Sequence, residues 1–392
     1  MSRLKGLACI NCGHLHEAIM IYQCEKCNGS LDAVYDYDAI FDQEDWDNGK
    51  EVGIWRYQSL MPVDSDITPV TLGEGNTPLL KSSNLEDLFD QSSILIKNES
   101  VNPTLSFKDR PLSVALTVAK QLNVKGVLTA STGNTGVASA AYAARAGLPC
   151  RIYVPDSTPK EKLIMMEMYG AEIELVPGTF SDAYEIAGVE AEKIGWLNLT
   201  STFLNPYAIE GDKTLAYEIF KQFEIVPDWI VIPIGAGPLL VSCYKGFKEL
   251  QLAGKIDKLP RMVGVQAASC APTVQAYESG LKEVKPWGQS SQTVASGIAD
   301  PLTTYPQDGT RTLTTIYESN GIGIAVEDDR ILHYQKILAR TEGIFAEPAS
   351  VTSVAALEVM KEKGKLQKDE SVVVVITGHG LKDLKSIQLK EK

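Results

Sequence analysis

The amino-acid sequence predicts an α/β fold made of two domains, each built on a largely parallel sheet. Short apolar strands alternate with longer helices from about residue 94 onward, and this alternation requires crossover connections and sheets covered on both faces. There are more strand–helix units than one sheet comfortably holds, which indicates two domains. The chain has 392 residues, 44% hydrophobic and 22% charged, which is ordinary globular usage and ample for a sizeable core.

The spacing of apolar residues predicts each element in turn. Short apolar runs predict strands at 94–97, 126–130, 151–154, 172–176, 196–199, 229–234, 262–265 and 372–376. Helical spacing predicts helices at 107–122, 135–146, 160–169, 182–194, 213–223, 239–250, 329–341 and 351–361. Residues 268–320 show few clear elements, and we expect an interface or an active-site lid there.

The N-terminal segment 1–35 is predicted to be a separate small unit. Two C-x-x-C pairs lie within it, formed by Cys9, Cys12, Cys24 and Cys27. Four thiolates at this spacing suit a structural Zn²⁺ ion, and a metal-free knuckle is the alternative. An Asp- and Trp-rich linker, 36–67, with one short helix, is expected to connect this zinc-ribbon-like segment to the main region, 68–392.

The charge balance excludes two classes of partner. The formal net charge is −13, and so acidic a chain repels nucleic-acid phosphates and anionic lipid. No run of about 20 apolar residues is present, and the N-terminus lacks the features of a signal peptide. We therefore expect a cytoplasmic protein that binds neither nucleic acid nor membrane.

Three junctions between a strand and a helix are candidates for chemistry, because ligands bind beyond the carboxyl ends of parallel strands. The first places Lys108 at the start of a helix, and the second is the small-residue loop 130–136. The third is the glycine-containing turn 235–239, which suits a phosphate group. Taken singly, each has an ordinary structural explanation, and the turn lacks the third glycine of the dinucleotide fingerprint.

Together, these junctions resemble those of pyridoxal-phosphate (PLP) enzymes of fold type II, the tryptophan synthase β-like group, and most closely the threonine synthase family. Five motifs carry the resemblance in the family's order. They are Gly73-Glu-Gly-Asn-Thr-Pro-Leu79, Ser106-Phe-Lys-Asp-Arg110, Thr132-Gly-Asn-Thr135, Glu347-Pro-Ala-Ser350 and Thr377-Gly-His-Gly-Leu-Lys-Asp383. The resemblance covers about 68–392 and implies a smaller subdomain at about 108–216 inserted in a larger one.

The resemblance implies a role for individual residues. Lys108 should form the Schiff base with PLP and then move protons as the catalytic acid and base. Other PLP contacts are expected from Asn134 to the ring hydroxyl, from the backbone of Gly235, Ala236, Gly237 and Leu239 to the phosphate, and from Thr377 to the ring nitrogen. The substrate should contact Ser106, Ser131, Thr132 and Thr135.

The implied activity is that of a lyase of amino-acid biosynthesis, which converts O-phosphohomoserine and water to threonine and phosphate by γ-elimination and β-addition. One departure keeps a second activity open: Ala208 stands where the family carries an Arg expected to grip the substrate phosphate. A β-replacing or β-eliminating relative, cysteate-synthase-like or dehydratase-like, would act on O-phosphoserine, serine or threonine instead. Lys213 or Arg110 could replace the lost charge. Leu105 and Pro111 stand where the family has two glycines. A homodimer is expected because relatives are often dimers.

Overall fold

The computed structural model describes residues 3–42, 52–200 and 202–384. The chain forms two compact units. Unit 1 comprises Met1–Asn76, Asn102–Thr104 and Lys108–Thr214, and unit 2 comprises Thr77–Val101, Leu105–Phe107 and Leu215–Lys392. Residues 43–51 of the predicted linker lie outside the described residues.

The elements follow one another along the chain in the alternation that the sequence predicts. The strands are β1 Leu4–Cys9, β2 Leu15–His16, β3 Leu31–Tyr35, β4 Leu79–Lys81, β5 Ser93–Asn98, β6 Val127–Ala130, β7 Cys150–Pro155, β8 Glu172–Val176, β9 Leu197–Asn198, β10 Trp229–Pro233, β11 Arg261–Ala267, β12 Ile322–Val326 and β13 Ser371–Ile376. The helices are α1 Tyr37–Phe41, α2 Ser83–Phe89, α3 Asp109–Gln121, α4 Asn134–Ala146, α5 Lys160–Met168, α6 Phe180–Ile194, α7 Ile209–Asp212, α8 Thr214–Phe223, α9 Pro238–Leu252, α10 Pro272–Glu278, α11 Pro306–Glu318, α12 Asp328–Thr341 and α13 Pro348–Glu362.

Unit 1 contains two sheets. The first is an antiparallel sheet in the order β2-β1-β3, which carries the four cysteines. The second is a four-stranded parallel sheet in the order β8-β7-β6-β9. Side chains alternate between its faces: Val127 of β6 belongs to a core with α3, α4 and α5, whereas the adjacent Leu128 packs with Ala183 and Ala187 of α6. Helices therefore cover both faces of this parallel sheet.

Unit 2 is built on a six-stranded sheet in the order β12-β11-β10-β13-β5-β4. Its strands are parallel except for the edge strand β4, which pairs antiparallel with β5. Every residue of β10 and β13 is buried, as continuous apolar strands of a sheet covered on both faces require. Val231 and Val374 belong to the same core as Ala355 and Ala356 of α13. This architecture confirms the predicted α/β class with parallel sheets.

The region 268–320 corrects one expectation, because it contains more regular structure than the sequence suggested. Helices α10 and α11 lie in it, and each begins with a proline in its first turn, where the missing N–H costs nothing. Strand β12 follows directly and was also missed, because Gly321 and Gly323 interrupt its apolar pattern. A Cβ on Gly323 would lie 3.2 Å from Tyr277 Cβ, so a larger residue there would require the tyrosine to shift. None of the helices in the described ranges is both long and apolar enough to cross a membrane.

Candidate active site

Lys108 lies immediately before α3, in unit 1. This lysine is half-buried. The next residue, Asp109, is fully buried, and its Oδ2 accepts hydrogen bonds from the Thr104 backbone N–H (3.0 Å) and hydroxyl (3.1 Å). This carboxylate fixes the start of α3, so the lysine beside it has a defined position.

The loop between β6 and α4 holds four more of the predicted residues in unit 1. The Ser131 hydroxyl oxygen accepts from the backbone N–H groups of Gly133 (3.2 Å) and Gly136 (3.0 Å). Asn134 begins α4, Thr132 and Asn134 are half-buried, and Thr135 is buried. Helices α3 and α4 pack against each other, and both begin at the carboxyl edge of the parallel sheet. Unit 1 thus brings Lys108 and this loop to one edge.

In unit 2, the turn between β10 and α9 is built for close backbone approach. Gly237 precedes α9 with φ of 99°, and a Cβ there would lie 2.3 Å from the Thr312 hydroxyl. The carbonyls of this turn are already bound: Thr312 donates to Ala236 O (2.6 Å), and Gln266 donates to Gly235 O (3.4 Å). The N–H groups of this turn and of Leu239 lie at the N-terminus of α9, where an anion binds favourably.

Thr377 follows β13, the neighbour of β10, and therefore lies at the same edge of the unit 2 sheet. Its hydroxyl is 2.8 Å from the Ser350 hydroxyl. Ser350 Oγ accepts from the Gly378 N–H at 2.7 Å and is 3.1 Å from Gly378 O. The Ser350 proton is therefore available to Thr377 Oγ1 or to Gly378 O. The sequence drew attention to the Glu347–Ser350 motif but assigned Ser350 no role.

Ser106 is held against the residues after Thr377 in unit 2. Ser106 bridges to Gly378, the Phe107 N–H donates to Thr377 O (2.9 Å), and the His379 N–H donates to Leu105 O (3.0 Å). Ser106 is fully buried, and its hydroxyl oxygen has no hydrogen-bond partner among the described residues. Leu105 has φ of 66°, the left-handed conformation that favours glycine, which accounts for the family glycine at this position.

Asp300 is a residue beside the unit 2 turn that sequence reasoning missed. A Cβ on Gly235 would lie 3.3 Å from Asp300 Cβ. Asp300 Oδ1 accepts from the Leu302 N–H (3.0 Å) and the Tyr305 hydroxyl (3.2 Å). Burial raises the pKa of the Asp300 carboxyl. No motif in the sequence marks this residue, because only the fold brings it to Gly235.

The segment 205–214 of unit 1 contains Ala208. Asn205 Oδ1 caps it by accepting from the N–H groups of Tyr207 and Ala208, both at 3.1 Å. The two cations considered as replacements for the missing Arg are both fully buried and already engaged. Lys213 Nζ lies 2.7 Å from Glu210 Oε2, and Arg110 Nη1 donates to Thr214 Oγ1 at 2.8 Å.

Glu74 is the acidic residue of the Gly73–Leu79 motif. Its carboxylate is buried in unit 1 and accepts from Trp55 Nε1 (3.1 Å), the Leu72 N–H (2.9 Å) and the Tyr142 hydroxyl (2.7 Å). Burial, together with the nearby carboxylates of Asp109 and Glu74, raises the pKa of Tyr142, so this phenol remains a donor. Through these hydrogen bonds, Glu74 therefore connects the segment before β4 with α4.

The four cysteines converge in unit 1. Their sulfurs all lie within 4.8 Å of one another, with Cys9 Sγ 3.4 Å from Cys27 Sγ and Cys12 Sγ 3.7 Å from Cys24 Sγ. Sulfurs bound tetrahedrally to Zn²⁺ at about 2.3 Å lie about 3.8 Å apart. Burial opposes ionisation of Cys9, but N–H groups of Cys12 and Asn11 outweigh it and lower the pKa of the thiol to about 7. The cluster fits a zinc ion.

Each unit thus assembles one part of the predicted set at the carboxyl edge of a parallel sheet. Unit 1 contains Lys108, Ser131, Thr132, Asn134 and Thr135, and unit 2 contains Ser106, Gly235, Ala236, Gly237, Leu239 and Thr377. These groups match what pyridoxal phosphate requires: an amine, backbone donors for a phosphate and a hydroxyl for the ring nitrogen. The buried, unpartnered hydroxyl of Ser106 also indicates a missing polar ligand.

Comparison with known proteins agrees with this match. The model of the family described as "Pyridoxal-phosphate dependent enzyme" matches residues 70–378. The chain is 41% identical to threonine synthase of Methanocaldococcus jannaschii, with 96% of this chain and 92% of that protein covered. It is 39% identical to threonine synthase of Methanosarcina acetivorans, with 97% and 93% covered.

A solved structure shares the fold. Serine racemase of Dictyostelium discoideum superposes with a TM-score of 0.65 at 25% sequence identity, with 80% of this chain and 93% of that chain covered. The chain therefore belongs to the pyridoxal-phosphate dependent enzymes, as a lyase of the threonine synthase family.

Proposed function

We propose that this enzyme converts O-phosphohomoserine and water to threonine and phosphate, using pyridoxal phosphate. The observation that carries the proposal is the 41% identity to a threonine synthase across 96% of the chain. Pyridoxal phosphate supplies an electron sink that stabilises negative charge on the substrate carbons. The protein then has to hold the cofactor, orient the substrate and move protons.

Lys108 is proposed as the residue that binds the cofactor and moves protons at the substrate carbons. Its half-buried amine beside the fixed Asp109 has the defined position that proton transfer requires. Asn134 would contact the ring hydroxyl, and the N–H groups of Gly235, Ala236, Gly237 and Leu239 would bind the phosphate.

Thr377 is proposed to face the ring nitrogen, with Ser350 controlling the direction of its proton. When the Ser350 hydroxyl donates to Thr377 Oγ1, the Thr377 proton is available to a nitrogen acceptor. The 2.8 Å distance between the two hydroxyls supports this relay. A neutral hydroxyl leaves the ring nitrogen unprotonated, which is compatible with elimination because the leaving group assists.

Ser106, Ser131, Thr132 and Thr135 are proposed to bind the substrate. Thr132 and Thr135 belong to a loop that opens α4, where N–H groups favour a carboxylate. Ser106 has an unpartnered buried hydroxyl among the described residues, which makes it a direct candidate for a substrate or cofactor oxygen.

Ala208 supports a second candidate activity, β-replacement or β-elimination on O-phosphoserine, serine or threonine. The methyl group of Ala208 cannot bind a phosphate, whereas the family Arg would do so through a bidentate, charge-assisted pair. Lys213 and Arg110 are buried and engaged with Glu210 and Thr214. A substrate whose binding depends less on a cation at this position would therefore suit the site.

The two activities are separated by measuring phosphate release from O-phosphohomoserine and from O-phosphoserine, with amino-acid analysis of the products. Phosphate and threonine from the first substrate would support threonine synthesis. Turnover of O-phosphoserine alone would contradict it and support the β-reaction. Lys108→Ala is the control for dependence on the proposed lysine, and Lys125→Ala is a matched lysine substitution outside the proposed site.

We also propose that Cys9, Cys12, Cys24 and Cys27 bind structural Zn²⁺. The sulfur separations support four-thiolate coordination. Metal analysis of the purified protein is expected to give one zinc per chain, and the Cys12→Ser/Cys27→Ser double variant is expected to lose it. Cys150→Ser is the matched control, because burial raises the pKa of the Cys150 thiol to about 12. A full zinc content in the double variant would exclude this site.

For the biological unit, we propose a cytoplasmic homodimer in which segment 1–35 is a zinc ribbon, 36–67 a linker and 68–392 the catalytic region, with a smaller subdomain at about 108–216. Among the described residues, the seven cysteines form no disulfide, which suits a reducing compartment. Light scattering after size-exclusion chromatography measures the mass. A mass near 42.7 kDa, that of one chain, would exclude the dimer.

A further inference from the structure

The four-cysteine segment is bound to the chain that follows β9. Between the two cysteine pairs, the Ile19 carbonyl accepts from the Tyr207 hydroxyl, and the Tyr22 hydroxyl accepts from the Asn198 N–H, both at 2.7 Å. Tyr22 and Ala208 pack against the same hydrophobic core. Residues 19–22, between the two cysteine pairs, therefore contact both Asn198 and Tyr207.

A second contact runs from the end of β3 into α7. The Tyr35 hydroxyl donates to Glu210 Oε2 at 2.8 Å, and Lys213 Nζ lies 2.7 Å from the same oxygen. Lys213 Nζ also lies 4.2 Å from the centre of the Tyr35 ring. Glu210 and Lys213 are completely buried. A buried ion pair requires additional hydrogen bonds to offset its desolvation, and Tyr35 provides one from the four-cysteine segment.

The segment after β9 in turn lies against the first turn of α3. A Cβ on Gly211 would lie 2.2 Å from the Arg110 carbonyl oxygen, so the two backbones touch. Arg110 Nη1 donates to Thr214 Oγ1 at 2.8 Å. Arg110 is two residues from Lys108. The contacts therefore form a path from Tyr35, at the end of β3 in the four-cysteine segment, through Glu210 and Gly211 to the helix start that carries Lys108.

We propose that the four-cysteine segment positions Lys108, with Tyr35 as the positioning residue that links it to Glu210 and Lys213. The inference rests on the proposed role of Lys108 in binding the cofactor. Loss of the Tyr35 hydroxyl leaves the buried Glu210 carboxylate with one donor fewer, which favours movement of α7 and of the α3 turn packed against it.

The test compares full-length Tyr35→Phe with wild type, both loaded with pyridoxal phosphate. Phe keeps the ring beneath Lys213 and removes only the hydroxyl. Tyr317→Phe is the matched control, because its hydroxyl donates to a backbone carbonyl, Leu281 O, at 2.9 Å in unit 2. Hydrogen exchange of 205–214 and 106–112 is measured by mass spectrometry, together with the visible circular dichroism of the bound cofactor.

In Tyr35→Phe, we expect exchange in both segments to rise about fivefold, as the loss of one hydrogen bond implies. We also expect a changed cofactor circular dichroism signal, and neither change in Tyr317→Phe. Unchanged exchange and an unchanged signal in Tyr35→Phe would overturn the proposal. Faster exchange with an unchanged cofactor signal would overturn it too, because Tyr35 would then be structural only.

A second variant extends the test to the cysteines. Cys12→Ser/Cys27→Ser removes two exposed thiols, and it is expected to raise exchange in 205–214 as Tyr35→Phe does, whereas the Cys150→Ser control is not. If hydrogen exchange in 205–214 does not rise, the four cysteines do not stabilise this segment. None of these readouts depends on turnover. If the wild type makes no threonine, the proposed function fails, while the exchange comparison still decides the positioning role.

Discussion

The loops before α4 and α9 each follow a strand of a parallel sheet, but the hydrogen-bond partners of their backbone N–H groups differ. Before α4, the Ser131 hydroxyl accepts from Gly133 and Gly136 N–H groups. Before α9, no side chain caps the helix, Gly237 has φ of 99°, and proline occupies the first helical position. In that turn, Thr312 and Gln266 bind the carbonyl oxygens and not the N–H groups.

The α4 loop thus stabilises itself through a side chain, whereas the N–H groups of the α9 turn are proposed to bind the cofactor phosphate. The α4 loop has used two of its N–H donors internally, so it presents mainly side chains, including those of Thr132, Asn134 and Thr135. The α9 turn presents backbone donors held by fixed carbonyls, an arrangement suited to phosphate. We therefore expect substitutions in the α9 turn to affect binding of the cofactor phosphate. Substitutions of Ser131, Thr132 and Thr135 in the α4 loop should affect stability and substrate binding.

The largest expected effect belongs to Gly237→Ala. An alanine at φ of 99° is strained, and its Cβ would lie 2.3 Å from the Thr312 hydroxyl, so the turn has to move away from its present shape. We expect affinity for pyridoxal phosphate to fall about a hundredfold, the loss of about 2.8 kcal/mol. Titration of the apoenzyme with cofactor, followed by absorbance, measures it.

Gly254→Ala is the matched control for that substitution, because Gly254 follows the opposite end of α9. Gly254 has φ of 66°, and nothing lies within 4 Å of a Cβ built there. It therefore carries the strain of a positive φ without the clash at the turn. Equal losses of cofactor affinity in the two variants would contradict a special role for the α9 turn.

Ser131→Ala is expected to have the intermediate effect, and mainly on stability. Removal of the hydroxyl leaves the Gly133 and Gly136 N–H groups without their acceptor, at a cost of about 2 kcal/mol in the free energy of unfolding. Cofactor affinity should change less than about twofold, because backbone donors of the other loop are proposed to bind the phosphate. Urea unfolding and cofactor titration give the two quantities.

A helix cap elsewhere in unit 1 provides the comparison for Ser131→Ala. Thr179 caps α6 through a capping box with Asp182, and its replacement by alanine should cost about 1 kcal/mol of stability. Both variants should lose stability, but only Ser131→Ala should raise the KM for the amino-acid substrate. A KM that changes in neither variant would remove Ser131 from the proposed substrate site.

The parts of the fold that follow from local patterns could be predicted from the sequence. Strand 172–176 was predicted with its observed bounds, and α4 and α13 within three residues of theirs. Two failures have a physical cause. Strand β12 contains Gly323, which packs closely against Tyr277 and interrupts the apolar pattern. Helix α11 is rich in threonine, so its helical pattern is weak.

Residues of the candidate sites could be predicted from the sequence where they belong to a recognisable motif. Residues that only tertiary contacts bring together could not be predicted. The cysteine spacing predicted a cluster whose sulfurs do converge. By contrast, the approach of Asp300 to Gly235 joins residues about 65 positions apart along the chain, and the contact of Tyr35 with Glu210 spans 175 positions. No local pattern encodes such contacts, because packing of the complete unit creates them.

The smallest expected effect concerns Leu105, at the first junction, just before Lys108, where a positive φ occurs without glycine. Its φ of 66° costs a side-chain-bearing residue about 1–2 kcal/mol, and its half-buried side chain contributes packing. We expect Leu105→Gly to be more stable than Leu105→Ala by about 1 kcal/mol, since both lose the packing but only glycine relieves the strain. This reverses the usual order, in which glycine destabilises more than alanine. Urea unfolding of both variants measures the difference, and an alanine variant as stable as the glycine variant would show that the backbone at 105 relaxes to a negative φ.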